Sequence, residues 1–278
     1  MPPDLDALAG EVGVAGLRKP RLIASDLDGT LLRSDGTVSE RTIRALRSVQ
    51  AEGIGFVMVT ARPPRWLHDL AHVVGDHGVV LCSNGAFVYD VTNRTVLSER
   101  PLAVDVVTSI VADLRAVVPG IAFAVESAAG FAREPGYVDL HPTPAGAPVA
   151  DIADLLDPLP GKLLARAPGL EGETFLRTVV DVVGDGAVVA FSGVEGLAEI
   201  SAAGVTKAAV LAEWAAGRGV EAADVWAFGD MPNDLPMLHW AGVSFAVANA
   251  HPDVLAAATY VVAGHDDDGV ARTVELIR

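Results

Sequence analysis

Short apolar runs that stop abruptly at polar residues alternate with stretches of helical spacing along the first part of the chain. Leu22-Ile23-Ala24-Ser25 ends at Asp26, Ile54 to Thr60 is a second run, and Val79 to Cys82 is a third, closed by Ser83-Asn84-Gly85. Unbroken apolar runs of this length predict strands buried on both faces of a parallel sheet. Between the first two, Ser39 suits the cap of a helix whose Ile43, Leu46 and Val49 recur at helical spacing, ending at Gly53. A further helix is predicted after Pro63-Pro64. Strands and helices in this alternation imply βαβ units.

The rhythm then breaks. Phe87 to Leu97 reads as two short strands around Asn93-Arg94, a hairpin rather than a crossover. A helix over Val104 to Val118 and a strand over Ile121 to Val125 follow, then a loop-rich stretch over 133–160. A strand over Lys162 to Ala167, a helix near Glu173 to Val183 and a strand over Ala187 to Phe191 complete an α+β block. The first rhythm returns after Gly193, with a helix over Val205 to Ala216 and strands at Val225–Phe228, Ser244–Val247 and Thr259–Val262. The expected architecture is α/β: a Rossmann-like parallel-sheet core, 21–87 and 194–278, with an inserted α+β domain, 88–193. Residues 1–20 read as a leader without the basic start and apolar run of a secretion signal.

Composition narrows the partners. The 278 residues are 51% hydrophobic and 20% charged, which excludes a disordered chain. The net charge of −16 repels nucleic acid and anionic membranes, and no apolar stretch is long enough to span a bilayer. The single cysteine, Cys82, excludes an intramolecular disulfide framework. A soluble, cytoplasmic monomer or homodimer acting on a small molecule is the expectation.

Two acidic clusters carry the chemistry. Asp26-Leu27-Asp28-Gly29-Thr30 lies where the first strand ends, and Gly229-Asp230-Met231-Pro232-Asn233-Asp234 lies where the Val225–Phe228 strand ends. Ligands of open α/β sheets bind beyond these carboxyl ends. Carboxylates two positions apart suit a nucleophile and a proton donor-acceptor. Four converging carboxylates repel one another unless a cation joins them, and oxygen ligands favour Mg²⁺. Thr60 and the Ala61 backbone offer donors to an oxyanion, and Lys207, one of three lysines, can balance the acidic cluster. His68 and His72 lack a third ligand and read as structural; Cys82 reads as a small buried hydrophobe.

The order DxDGT, Thr, Lys, GDxxND resembles the haloacid dehalogenase-like phosphatase superfamily. The nearest likeness is to its Cof-type (IIB) branch, which carries a large α+β cap. Ser83-Asn84-Gly85-Ala86, the AVANA stretch over Ala246 to Ala250, and Asp267-Asp268-Gly269-Val270-Ala271 agree with it. The resemblance implies Asp26 as nucleophile, forming an aspartyl-phosphate, and Asp28 as acid and base. It implies Mg²⁺ on the carboxylates of Asp26 and Asp230 and on the backbone carbonyl of Asp28. Thr60, Lys207 and Asn233 would bind phosphoryl oxygens, helped by the N–H groups of Leu27 and Ala61, while Asp234 would position Lys207 or the metal's waters. The implied substrate is a small phosphorylated metabolite such as a sugar phosphate. Ala61, Ala208 and His265 stand where the family more often has Gly, Gly and Asn. A phosphomutase using the same aspartate pair, or a non-catalytic phosphometabolite sensor, are the alternative readings.

Overall fold

The computed structural model describes residues 17–73, 78–139, 141–167, 172–191 and 196–277. The first five strands are β1 (Leu22–Ser25), β2 (Gly55–Val59), β3 (Val79–Cys82), β4 (Phe87–Asp90) and β5 (Thr95–Glu99). The next five are β6 (Ala122–Ser127), β7 (Gly130–Arg133), β8 (Pro160–Arg166), β9 (Ala187–Ala190) and β10 (Ala198–Ala202). The last three are β11 (Val225–Gly229), β12 (Val243–Val247) and β13 (Tyr260–Val262). They form an eight-stranded sheet in the order β13-β12-β11-β1-β2-β3-β4-β5 and a five-stranded sheet in the order β7-β6-β8-β10-β9.

The larger sheet is parallel from β13 to β3. β1 sits between β2 and β11, so the chain reverses its direction of winding beside β1 and opens a crevice there. Residues of β1 and β3 are buried throughout, as their apolar runs require. Helix α1 (Glu40–Ala51) starts at Ser39, whose side chain accepts from the Thr42 N–H, and buries Ile43, Leu46 and Val49. The smaller, antiparallel sheet packs with α2 (Val104–Val117) and α3 (Glu173–Val183) around its own core, including Phe123, Leu163, Phe175 and Ile200. Helices α4 (Lys207–Ala216), α5 (Leu235–Trp240), α6 (Pro252–Ala257) and α7 (Gly269–Val274) belong to the returning chain.

Three expectations change. The β4–β5 hairpin extends the larger sheet, because β4 pairs antiparallel with β3 from Val79↔Asp90 to Cys82↔Phe87. β10 pairs with β8 and β9 and so belongs to the smaller sheet. The inserted unit therefore begins after Glu99 and ends at Ala202, rather than running over 88–193. Third, the segment after Pro63 holds two short 3₁₀ turns, Pro64–Trp66 and His68–Leu70, in place of a helix. Arg65 there is drawn across to Glu126 of β6, and His68 to the Tyr89 hydroxyl, which breaks the helical spacing. Of the leader, Arg18 offers its carbonyl to Trp226 Nε1 and Lys19 pairs with Glu52; residues 1–16 lie outside the described residues.

The two crossings between the units lie side by side. A Cβ on Gly85 would collide with the Thr206 carbonyl, and one on Gly161 of β8 would strike the Phe87 ring. Arg100, on the outgoing chain, bonds through its N–H to the Ala86 carbonyl at 2.8 Å and through its guanidinium to Glu213 of α4.

Candidate active site

The ends of β1 and β11 are joined by the Asp26 N–H donating to the Phe228 carbonyl at 3.0 Å. The Leu27–Leu31 turn that follows β1 requires Gly29 at φ +78°, and a Cβ there would run into the Asp230 carboxylate. Thr30 donates to Asp230 Oδ1 at 2.8 Å, so the first acidic turn holds the second in place. Lys207 is the first residue of α4, a helix capped by the Thr206 hydroxyl. Its buried ammonium donates to Asp26 Oδ1 at 2.5 Å and to Asp234 Oδ1 at 2.6 Å. Asp234, fully buried, uses its other oxygen to accept the N–H groups of Asp230 and Met231, each at 3.0 Å.

Charge in this cluster is unbalanced. Asp26, Asp230 and Asp234 bring oxygens within 4.8 Å of one another against one lysine. Burial pushes the Asp26 carboxyl well above its ordinary value; Lys207 opposes this, while Asp234 and Asp230 reinforce it. Burial, then the Asp234 charge, raises Asp230 to about 6. Burial works against the Lys207 ammonium, but Asp234 and Asp26 outweigh it and hold its pKa up. A hard divalent cation fits such a donor set, since only carboxylate oxygens converge and they carry excess negative charge. Asp234 has spent both its oxygens on Lys207 and the backbone, so Asp26 and Asp230 are the carboxylates suited to hold the ion.

The remaining expected residues surround this cluster. Thr60 directly follows β2 and is fully buried, with its N–H on the Leu81 carbonyl, and its hydroxyl accepts from the Arg62 N–H at 3.1 Å. Asp26, Asp28, Ala61 and Asn233 line one cavity of about 690 Å³, which continues under the smaller sheet to Tyr137, Lys162 and Glu199. Leu27 is buried at the start of the turn. Asp28 is exposed and gripped by Arg62, whose Nε and Nη2 lie 2.8 and 2.7 Å from its two oxygens.

Sequence reasoning missed several lining residues. Arg65 pairs with buried Glu126, and its guanidinium stacks over the rings of Trp66 and Phe131. Burial pushes the Glu126 carboxyl up, opposed by Arg65. Trp66 meets His141 edge-on with ring centroids 4.5 Å apart. Lys162 and Glu199 form a buried pair inside the smaller sheet. The one available signal was a lysine near the start of β8, before the apolar Leu163-Leu164-Ala165, in a chain with three lysines. His72 bonds to the Asp69 carbonyl, and Cys82 is buried with its thiol pKa pushed up, as their structural reading requires.

A parallel sheet with carboxylates and a lysine beyond its central strands, and a second sheet closing over them, defines a capped phosphatase. The chain belongs to the haloacid dehalogenase-like hydrolase family, which it matches over residues 23–140 and 172–274. Pyridoxal phosphate phosphatase YbhA of Escherichia coli (strain K12) is 28% identical over 281 residues, spanning 91% of this chain and 96% of the relative. The 5-amino-6-(5-phospho-D-ribitylamino)uracil phosphatase YitU of Bacillus subtilis (strain 168) is 28% identical over 264 residues, 91% of this chain and 96% of its own. Among solved structures, the haloalkanoate-superfamily phosphatase BT1666 of Bacteroides thetaiotaomicron superposes with a TM-score of 0.79 at 24% identity, covering 94% of this chain and 96% of that one.

Proposed function

We propose that the protein is a Mg²⁺-dependent hydrolase of small phosphate monoesters with an uncharged, polyhydroxylated leaving group, such as a sugar phosphate. The observation that carries the reading is Lys207 bridging Asp26 and Asp234. It ties down one oxygen of Asp26, a residue that lines the cavity, and so orients the carboxylate for attack on phosphorus. Attack forms the Asp26 acyl-phosphate and breaks the ester P–O bond. Asp28 gives its proton to the departing alcohol and then takes one from the water that hydrolyses the acyl-phosphate. Thr60, Lys207 and Asn233, with the N–H groups of Leu27 and Ala61, hold the phosphoryl oxygens. Asp26, Asp230 and the Asp28 carbonyl would hold Mg²⁺, which when bound offsets the charge of the phosphoryl group and the carboxylates.

The lining of the cavity supports the choice of leaving group. Toward the cap, Arg65 of the core and Lys162 and Arg166 of the smaller sheet are matched by Glu126, Asp139 and Glu199. Arg65 and Lys162 face carboxylates directly, and Arg166 donates to the carbonyls of Val138 and Gly196. A second phosphate, which a phosphomutase must seat, finds no surplus positive charge there among the described residues. The test is phosphate release with Mg²⁺ from p-nitrophenyl phosphate, hexose and pentose monophosphates, and sugar bisphosphates. Monophosphates should be turned over at least tenfold more efficiently than bisphosphates. Absence of phosphate release from every ester would overturn the assignment, and a preference for bisphosphates would overturn the leaving-group class.

A further inference from the structure

Two buried charges of the cap reach into the core. Lys162 on β8 and Glu199 on β10 are 1% and 6% exposed and pair at 2.8 Å. Lys162 Nζ also donates to the Ala61 carbonyl at 2.8 Å. The same peptide group carries the Arg62 N–H that donates to Thr60 Oγ1. The ammonium thus pins the loop after β2 and, by polarising that peptide, strengthens the bond that sets the Thr60 hydroxyl.

Glu199 acts on the opposite wall. Its Oε2 accepts from Asn84 Nδ2 at 3.1 Å, and Asn84 Oδ1 accepts from Asn233 Nδ2 at 3.2 Å. Asn84 itself is held at φ +57° in the tight turn that ends β3. A carboxylate only accepts, so it dictates the orientation of both amides in turn. Asn84 must aim its nitrogen at the cap, and Asn233 must aim its nitrogen at Asn84. Asn233 Oδ1 is left buried and without a partner.

We propose that Lys162 and Glu199 are positioning residues that couple docking of the cap to completion of the phosphate pocket. With the cap seated, Lys162 fixes the Thr60–Arg62 loop and Glu199 fixes the amide polarity of Asn84 and Asn233. With the cap lifted, both constraints are withdrawn together. The inference rests on the assignment of Thr60 and Asn233 to the phosphoryl group.

Replacing Lys162 alone would strand a buried carboxylate, so the deciding variant is the pair Lys162→Met with Glu199→Leu, which removes both charges and keeps apolar bulk. The readouts are cooperative melting, kcat on p-nitrophenyl phosphate, inhibition by inorganic phosphate, and amide exchange over residues 60–66 with and without phosphate. The expected result is a cooperative transition, kcat lowered at least tenfold, phosphate inhibition weakened at least tenfold, and loss of the phosphate-dependent protection of 60–66. A folded variant with turnover and phosphate inhibition within twofold of the parent overturns the proposal. If the pair does not melt cooperatively, Glu199→Gln decides, because its amide lets the two asparagines reverse. Beside the buried Lys162 it should lower the melting temperature while keeping the transition cooperative and weaken phosphate inhibition at least tenfold, and unchanged inhibition in the folded protein overturns the proposal. Exchange protection by phosphate reads the coupling without turnover, so its outcome stays distinct from a failure of the phosphatase reading.

Discussion

Arg62 holds Asp28 by a two-pronged grip, 2.8 and 2.7 Å from guanidinium nitrogens to the two carboxylate oxygens, across a gap of 34 residues in sequence. Both side chains line the cavity, and Asp28 is the more exposed of the two. The fork that grips a carboxylate matches a phosphate equally well. An arriving ester can therefore draw Arg62 away and release Asp28 for proton transfer. Arg62→Ala should lower kcat/KM by about ten- to a hundredfold, mostly through KM, and Arg62→Lys should recover little because the fork is lost. Steady-state kinetics on one sugar phosphate check this; an unchanged KM would remove Arg62 from substrate binding.

Asp26→Asn should cut turnover on the order of a thousandfold or more, since the amide cannot form the acyl-phosphate. The fold should persist, because Lys207 keeps Asp234 as a partner and one buried carboxylate is relieved of its neighbours. Phosphate release together with a melting curve separates the two effects. Near-parental release would dismiss Asp26 as nucleophile.

Gly29→Ala should lower stability by about 1–2 kcal/mol for the left-handed backbone alone. It should also displace Asp230, which a Cβ at this position meets. The accompanying loss is weaker divalent-cation binding, measured by calorimetry. Parental affinity in a folded Gly29→Ala protein would show that the close approach is unimportant.

Asp230 supplies a pH dependence with a definite sign. Its carboxyl is raised to about 6, chiefly by burial and then by Asp234. A folded acid with a raised pKa binds more protons than the unfolded chain, so stability falls as pH climbs from about 4 to 6. The contribution is on the order of 3 kcal/mol at full ionisation. Compared with Asp230→Asn, the metal-free protein should lose several degrees of melting temperature across that window. Mg²⁺ favours the ionised form and should raise the melting temperature more at pH 7 than at pH 4.5. An equal Mg²⁺ effect at both values would contradict this account.

The strands that deliver the acidic turns were readable because each is an apolar run stopped by a polar turn: Leu22–Ser25 before Asp26, and Val225–Gly229 before Asp230. The helix cap at Ser39 was readable for a similarly local reason. Cap boundaries were not. Phe87–Asp90 and Ala198–Ala202 have the length and burial of strands in either sheet, and pairing partners distant in sequence decide which one they join. Lys162 and Glu199 were hidden because charged residues in strands ordinarily face water, whereas both strands here are covered on each face. The grip of Arg62 on Asp28 depends on β1 and β2 ending side by side, which no local pattern records.

The ion pair of Arg100 with Glu213 of α4 places the departing and returning chain against each other. For the large sheet, the whole insertion is then a bridged gap between adjacent points, and the entropy of closing such a gap grows only slowly with the length inserted. The cap is in this sense an exchangeable module. Its size and its recognition surface can diverge over evolution while the carboxylates, Lys207 and the sheet beneath them stay in register.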